Sequence, residues 1–134
     1  MDRERLEDTI RRFFERDPRG ALTVYLFGSR ARGTERRDSD VDVGILFEKV
    51  PGADFDSLPL GLEANLVREL GLPVQIVPLN RAPADLVHRV LRDGRLLLDR
   101  DRSRRIAFEV RRRNEYFDLQ PILREYRRGR KRGA

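Results

Sequence analysis

The chain contains no cysteine and no tryptophan, and only one histidine and one methionine among its 134 residues. Without cysteine, disulfide bonds and thiolate metal sites are excluded. No apolar run reaches the roughly 18 residues that a membrane-spanning helix needs, and the first residues are charged rather than apolar. These absences predict a soluble, cytoplasmic protein with no membrane partner, of a length that fits one domain.

Lysine is also scarce, with two residues against 27 arginines, and the positive charge is concentrated at one end. From Arg102 onward there are 12 basic and 4 acidic residues, whereas the earlier part has 17 basic and 19 acidic residues. This distribution predicts one domain over residues 1–128 and a basic, flexible tail over residues 129–134. Because such runs often end proteins without contacting nucleic acid, nucleic acid is expected as a partner only indirectly or through this tail.

Hydrophobic periodicity divides the chain into eight elements. It predicts helices over residues 3–16, 57–71, 82–94 and 101–128, the last with a bend before Pro121. Strands are predicted over residues 21–27, 41–47 and 73–79, with a fourth short strand within residues 95–101 and a loop over residues 49–56. The prolines of the third strand favour an edge position or a frayed end. This order predicts an α+β fold with a single mixed β-sheet and helices packed on it.

The stretch FGSRARGTERRDSDVDVGILF, residues 27–47, concentrates acidic and basic groups between two of these strands. Gly28 and Ser29 directly follow a strand, where a glycine lets the backbone turn its amides toward a phosphate. Asp40 and Asp42 are two residues apart at the start of the next strand, so their carboxylates share a face and suit Mg²⁺. A nucleotide bound as its magnesium complex would explain why both charge types occur together. The alternative is a charged hairpin loop whose aspartates cap backbone amides.

A family resemblance rests on three short motifs: Gly28-Ser29, Ala31-Arg32-Gly33 and Ser39-Asp40-Val41-Asp42. With ten residues between Gly-Ser and Asp-x-Asp, they resemble the signature of the DNA polymerase β-type nucleotidyltransferase superfamily in its minimal form. Residues 74–128 are also similar to the C-terminal half of MNT-domain antitoxins, the partners of HEPN-domain ribonuclease toxins. The resemblance implies a polymerase β palm-like fold and an antitoxin that transfers AMP from ATP to a tyrosine hydroxyl of its toxin. Any nucleic acid would then be met through the toxin.

The resemblance also assigns roles to residues. Asp40 and Asp42 would bind magnesium, in a site for two metal ions, and act in catalysis together with Ser29. The nucleotide-binding residues would be Gly28, Ser29, Arg32 and Ser39. The third carboxylate of the family is replaced at the matching strand position by Gln75, which cannot accept a proton.

Gln75 leaves alternatives to full activity open. One is an antitoxin that neutralises its toxin by binding alone. Another is transfer to a small molecule such as an aminoglycoside, which the short chain disfavours because such relatives carry an additional substrate domain. Asp85 on the following helix could supply the missing acid instead.

The single histidine and the aromatic residues near the C-terminus are weaker indications of function. His88, the only histidine, is expected to be a surface or interface residue. The side chains of Tyr116, Phe117, Leu119 and Tyr126 are expected to cover the domain's own core, with a partner-binding groove as the alternative.

Overall fold

The computed structural model describes residues 1–49 and 58–132. Over these residues the chain forms the elements α1 (Arg3–Arg16), β1 (Ala21–Phe27), α2 (Ser29–Arg32), β2 (Val41–Phe47), α3 (Leu62–Leu70), β3 (Val74–Pro78), a 3₁₀ turn (Leu79–Arg81), α4 (Ala84–Asp93), β4 (Arg95–Asp99) and α5 (Arg102–Arg132). The loop predicted over residues 49–56 lies outside the described residues except for Lys49.

The four strands form one sheet in the order β3-β2-β1-β4. The central strand β1 pairs antiparallel with both β2 and β4, whereas β2 and β3 run parallel. A mixed sheet was predicted, and the structure confirms it. The third strand lies at an edge, as its prolines indicated, because proline cannot donate to a further hydrogen-bonded strand.

Each face of the sheet is covered by helices, because the strand side chains alternate between two apolar clusters. On one face, α1 and α3 pack on inward-facing residues of all four strands; this cluster includes Leu6, Ile10, Phe14, Leu62, Leu66, Val24, Leu26, Val43, Ile45, Ile76 and Leu97. On the other face, the 3₁₀ turn, α4 and α5 pack together; this cluster includes Tyr25, Leu46, Leu79, Val87, Val90 and Phe108. The sheet therefore lies between two helical layers, and its ends remain accessible.

A buried polar contact attaches α5 to the central strand. The hydroxyl of Tyr25 on β1 donates to Glu109 Oε1 at 2.7 Å. Arg105 donates both to this carboxylate, at 3.2 Å, and to Asp99 Oδ2 of β4, at 2.7 Å. Burial, followed by the bond to Glu109, raises the pKa of Tyr25 well above its usual value. The phenol therefore stays a hydrogen-bond donor, and it fixes the first turns of α5 on the sheet.

Several element boundaries differ from the sequence prediction. The second helix begins at Leu62 rather than at residue 57, because Gly61 adopts a left-handed conformation with φ +75° just before it. The short helix α2 was not predicted, since four residues give no periodicity. The last helix continues to Arg132 rather than ending at residue 128, and the bend before Pro121 stays a prediction. The separate tail from residue 129 stays a prediction.

The expected burial of the large apolar and aromatic side chains near the C-terminus is wrong for most of them. Tyr116 is half-buried, but Phe117, Leu119 and Tyr126 are 61%, 41% and 63% exposed. The reason is the length of α5, because 31 residues at 1.5 Å each give a helix about 46 Å long, and its last turns extend beyond the sheet.

None of the helices within residues 1–49 and 58–132 contains an apolar stretch that could span a bilayer.

Candidate functional site

The candidate site forms where the end of β1 meets the start of β2. In the antiparallel register Phe27 lies opposite Asp42, so the residues that follow β1 are next to the residues that begin β2. The 13 residues between the two strands, 28–40, include α2 and a turn. The pairing therefore brings together the two parts of the motif that the sequence separates by ten residues.

Gly28 allows a close approach between these two parts. It has φ +77°, a conformation that L side chains rarely adopt, and a Cβ atom built on it would clash with Asp42 Oδ2. The carboxylate thus occupies the space that any side chain at residue 28 would need. Ser29 follows as the first residue of α2, so its hydroxyl belongs to the same edge of the sheet as Asp42.

Asp40 and Asp42 influence each other electrostatically. Burial raises the pKa of the Asp42 carboxyl, the negative charge of Asp40 raises it further, and the Arg32 guanidinium lowers it. Asp40 is exposed just before β2, whereas Asp42 is half-buried within the strand. Two carboxylates that repel each other at one edge are the donor set that a hard divalent cation such as Mg²⁺ stabilises.

The chain between the two motif halves is held by local hydrogen bonds. Arg30 is buried, and its Nε donates to the Ser39 carbonyl oxygen at 3.0 Å. The Ser39 hydroxyl accepts from the Arg36 backbone N–H at 2.8 Å, which closes a turn. These contacts give Ser39 a structural role immediately before Asp40. Its predicted contact with a nucleotide stays a prediction.

A cavity of about 370 Å³ opens at this edge. It is lined by Gly28, Ser29, Arg32 and Asp42 from the motif, together with Phe27 and three residues of α4, namely Leu86, Arg89 and Asp93. The structure thus brings four of the predicted residues into one cavity. Asp40, Ser39 and Gln75 are not part of its lining, although Asp40 acts on Asp42 through its charge.

The contribution of α4 was missed at the sequence level. Asp93, rather than Asp85, is the acid of α4 that lines the cavity, and it accepts two hydrogen bonds from Arg92. The Asp85 carboxylate is exposed and accepts from the Leu86 N–H at 3.0 Å. Arg89 is exposed with its side chain at the cavity. The charge and the helical spacing of α4 were visible in the sequence, but which helix face meets the cavity depends on packing.

Gln75 lies beside Asp42, because the two residues are paired in the parallel register of β2 and β3. Neighbouring residues of paired strands point to the same face, and Gln75 is exposed. In the described part of the chain, no group of three or more acidic or histidine side chains could hold a metal ion. The donor set therefore fits one cation held by Asp40 and Asp42, with at most an amide oxygen from the third strand.

His88 packs between helices instead of facing solvent freely. Its ring stacks on the ring of Tyr116 from α5, with centroids 3.7 Å apart and planes 4° apart. It is half-buried. His88 thus marks the point where α5 passes alongside the candidate site.

A comparison with known protein families identifies the class to which this fold belongs. Residues 8–103 match the family model described as "Polymerase beta, Nucleotidyltransferase". The match spans most of the chain, so the protein belongs to this family, and the predicted nucleotidyltransferase fold is confirmed. No curated protein matches the sequence.

Solved structures relate the chain to a narrower group. A toxin-antitoxin structure with AMP-PNP is 25% identical, with 90% of this chain and 97% of that chain covered and a TM-score of 0.72. A protein named as a minimal nucleotidyltransferase is 34% identical over 71% of this chain and 95% of its own, with a TM-score of 0.55. The complex of a tri-AMPylated Shewanella oneidensis HEPN toxin with its MNT antitoxin shares the fold at 21% identity, with coverages of 92% and 98% and a TM-score of 0.67. The suspected likeness to MNT antitoxins is therefore confirmed.

Two glycine substitutions compare a crowded position next to Asp42 with an open one. Gly28 and Gly33 have nearly the same φ, +77° and +76°, but a Cβ at Gly33 would meet nothing within 4 Å. Gly33→Ala should lose about 1–2 kcal/mol from its left-handed conformation. Gly28→Ala should lose more, because its ψ of −160° is essentially restricted to glycine and because its Cβ clashes with Asp42; the part of the loss that disappears in the Asp42→Ala background measures the clash. Denaturant unfolding of both variants measures the difference. Equal losses would contradict the described approach.

Proposed function

We propose that this protein is a magnesium-dependent nucleotidyltransferase antitoxin, which transfers AMP from ATP to a tyrosine hydroxyl of a cognate HEPN ribonuclease toxin. The observation that carries the proposal is the Asp42 carboxylate packed against Gly28, beside Ser29 and within the field of Asp40. The 25% likeness to a toxin-antitoxin with AMP-PNP and the shared fold of a complex with a tri-AMPylated HEPN toxin support it.

The reaction is a single displacement at phosphorus. The acceptor hydroxyl attacks the α-phosphorus, a new P–O bond forms, and the bond to the β-phosphate oxygen breaks. Pyrophosphate leaves with that electron pair, and the hydroxyl proton passes to solvent or to a nearby base. The protein must therefore position the triphosphate and stabilise negative charge on it.

The residues of the cavity divide this work. Gly28 and Ser29 would bind phosphate oxygens through the backbone and the hydroxyl, and Arg32 and Arg89 would balance the remaining negative charge from two sides of the cavity. Asp40 and Asp42 would hold Mg²⁺, which when bound neutralises phosphate charge and orients the reacting oxygens. Ser39 would act near the nucleotide from the preceding turn.

A second candidate function follows from Gln75. The residue beside Asp42 is an exposed amide, and no cluster of three acids exists in the part of the chain that the structure describes. The protein would then neutralise the toxin by forming a complex, with slow transfer or none. Transfer to a small molecule has no comparable observation in its favour.

Removing the Asp42 charge should distinguish transfer from binding. In Asp42→Asn the amide keeps the shape but loses the negative charge, so labelling of the toxin from labelled ATP and Mg²⁺ should fall at least about 100-fold. Asp38→Asn, in the exposed loop of the same motif, should label like the parent chain. Neutralisation of the toxin that survives in Asp42→Asn, with a parent chain that never labels it, would favour the second candidate.

Restoring the third acid tests the deficit at residue 75. Gln75→Asp adds a carboxylate next to Asp42, so the labelling rate should rise by about 10-fold or more, up to the roughly 10²–10⁴ that a fully effective general base supplies. The three acids repel one another without metal, so Mg²⁺ should raise the melting temperature of Gln75→Asp more than that of the parent. Gln75→Glu controls for side-chain length. An unchanged rate would show that the site does not lack a base.

The role of Arg89 can be measured without the toxin. A guanidinium bound to phosphate contributes about 1.5–3 kcal/mol, so Arg89→Ala should weaken ATP binding by about 10- to 100-fold. AMP, which lacks the outer phosphates, should be affected less. Arg68→Ala, on the exposed side of α3, is the matched control. Isothermal titration with ATP and with AMP decides, and equal affinities of the Arg89 variant and the control would remove Arg89 from the site.

A further inference from the structure

Helix α5 exposes large apolar side chains along most of its length. Six large apolar side chains of this helix are more than 40% exposed, namely Ile106, Val110, Phe117, Leu119, Ile122 and Tyr126. The family match ends at residue 103, so nearly the whole helix lies beyond the part that the family model describes. We call residues 119–132 the arm.

The arm continues the helix face that is buried at the domain. Phe108 is 3% exposed against the sheet, and Leu119 and Ile122 follow at 11 and 14 residues, within about 40° of it around the helix at 3.6 residues per turn. These two side chains are 41% and 64% exposed. One helix face therefore passes from a covered to an uncovered environment without changing its apolar character.

The direction of α5 places the arm beside the candidate site. Arg104, in its first turn, donates to the Glu48 carbonyl oxygen at the far end of β2. Glu109 then meets Tyr25 on β1, and Tyr116 stacks on His88 of α4, the helix that supplies Arg89 to the cavity. The helix thus runs along the sheet toward the edge that carries the motif, and the arm extends past that edge.

The charge of the arm limits what can cover it. It contains six basic residues and one acidic residue. A second copy of the same arm would bring like charges together, which disfavours self-association. RNA would match the charge and the guanidinium groups of the arm, but it would leave the aliphatic side chains of Leu119 and Ile122 in water, whereas an apolar protein surface would bury them. A protein groove with an apolar floor and an acidic rim matches both properties.

We propose that the arm is the docking element for the protein that this nucleotidyltransferase modifies, and that it binds an apolar groove with an acidic rim on that partner. The identity of the partner as the cognate HEPN-domain protein rests on the proposed function. Docking there holds the partner next to the cavity that contains Ser29 and Asp42, so the acceptor hydroxyl is presented by the geometry of α5. An isolated helical segment of this length is marginally stable in water, and a partner groove would stabilise it.

Two arm variants and two controls test the docking. Leu119→Ser/Ile122→Ser removes apolar contacts, and Arg124→Glu/Arg128→Glu reverses charge. Leu60→Ser, at a side chain 96% exposed elsewhere, controls for the first variant. Arg68→Glu on α3 controls for the second. All are made in the full chain that also carries Asp42→Asn, so that binding is measured without transfer.

Titration calorimetry against the purified cognate HEPN-domain protein gives the first readout. Each arm variant should weaken association at least about tenfold, and the controls less than about twofold. Rising salt should weaken binding of the parent chain more than that of the charge-reversed variant. The Kd for ATP and the melting temperature of each arm variant should match those of the chain that carries Asp42→Asn alone, since the arm lies outside the cavity and the core.

The possible failures are distinguishable. Arm variants that bind like the controls would overturn the docking inference and leave the proposed transfer intact. A chain with an unaltered arm that does not bind the HEPN-domain protein at all would also overturn the docking inference, and the labelling assay then decides on the transfer separately. Loss of binding to a single-stranded RNA oligonucleotide, with toxin binding unchanged, would assign the arm to RNA. Loss of a dimer in sedimentation would assign it to self-association. If the arm variants bind the toxin more weakly than the controls, and the unsubstituted chain never labels the toxin, the docking inference stands and the proposed transfer is rejected.

Discussion

The antiparallel pairing of β1 and β2 is the constraint on which the candidate site depends. It places Phe27 opposite Asp42 and thereby brings the Gly28-Ser29 turn next to the paired aspartates. The absence of a side chain at Gly28 lets the Asp42 carboxylate occupy the adjoining space. A shift of the register by one residue would move Asp42 to the opposite face of the sheet, where α1 and α3 form an apolar layer.

The same sheet also organises the distribution of charge. Asp40 and Asp42 meet Arg32 at one edge, and α4 adds Arg89 and Asp93 across the cavity. The second helical layer carries α5, fixed on β1 through Tyr25 and Glu109. The strand β1 therefore leads into the turn of the candidate site and also makes the contact that orients α5. The site and the arm are both attached to this strand.

Much of this arrangement was predictable where the signal is local. The strands β1 and β2 combine apolar β-branched residues with flanking breakers, and the family motif between them has a fixed spacing. The edge position of β3 followed from Pro73 and Pro78, since proline lacks the N–H that an inner strand donates. The family match and the TM-scores then confirmed the fold that the motif implied.

The missed features depend on contacts between distant residues. Periodicity placed α4 on the chain but could not tell that Arg89 and Asp93, rather than Asp85, face the cavity. Periodicity also could not show that α5 is longer than the sheet on which it packs. Phe117 is therefore exposed, although it belongs to the apolar stripe of this helix. The predicted start of α3 at residue 57 was also too early, because the left-handed conformation of Gly61 places the start of this helix at Leu62.

The exposure of Gln75 has a consequence for substitution at this position. It lies on an edge strand with its side chain in solvent, so a change there alters neither the apolar layers nor the strand pairing. An exchange between an acid and an amide at this position is therefore compatible with the fold, whereas in the proposed reaction it would change the turnover at Asp42, its neighbour in the register.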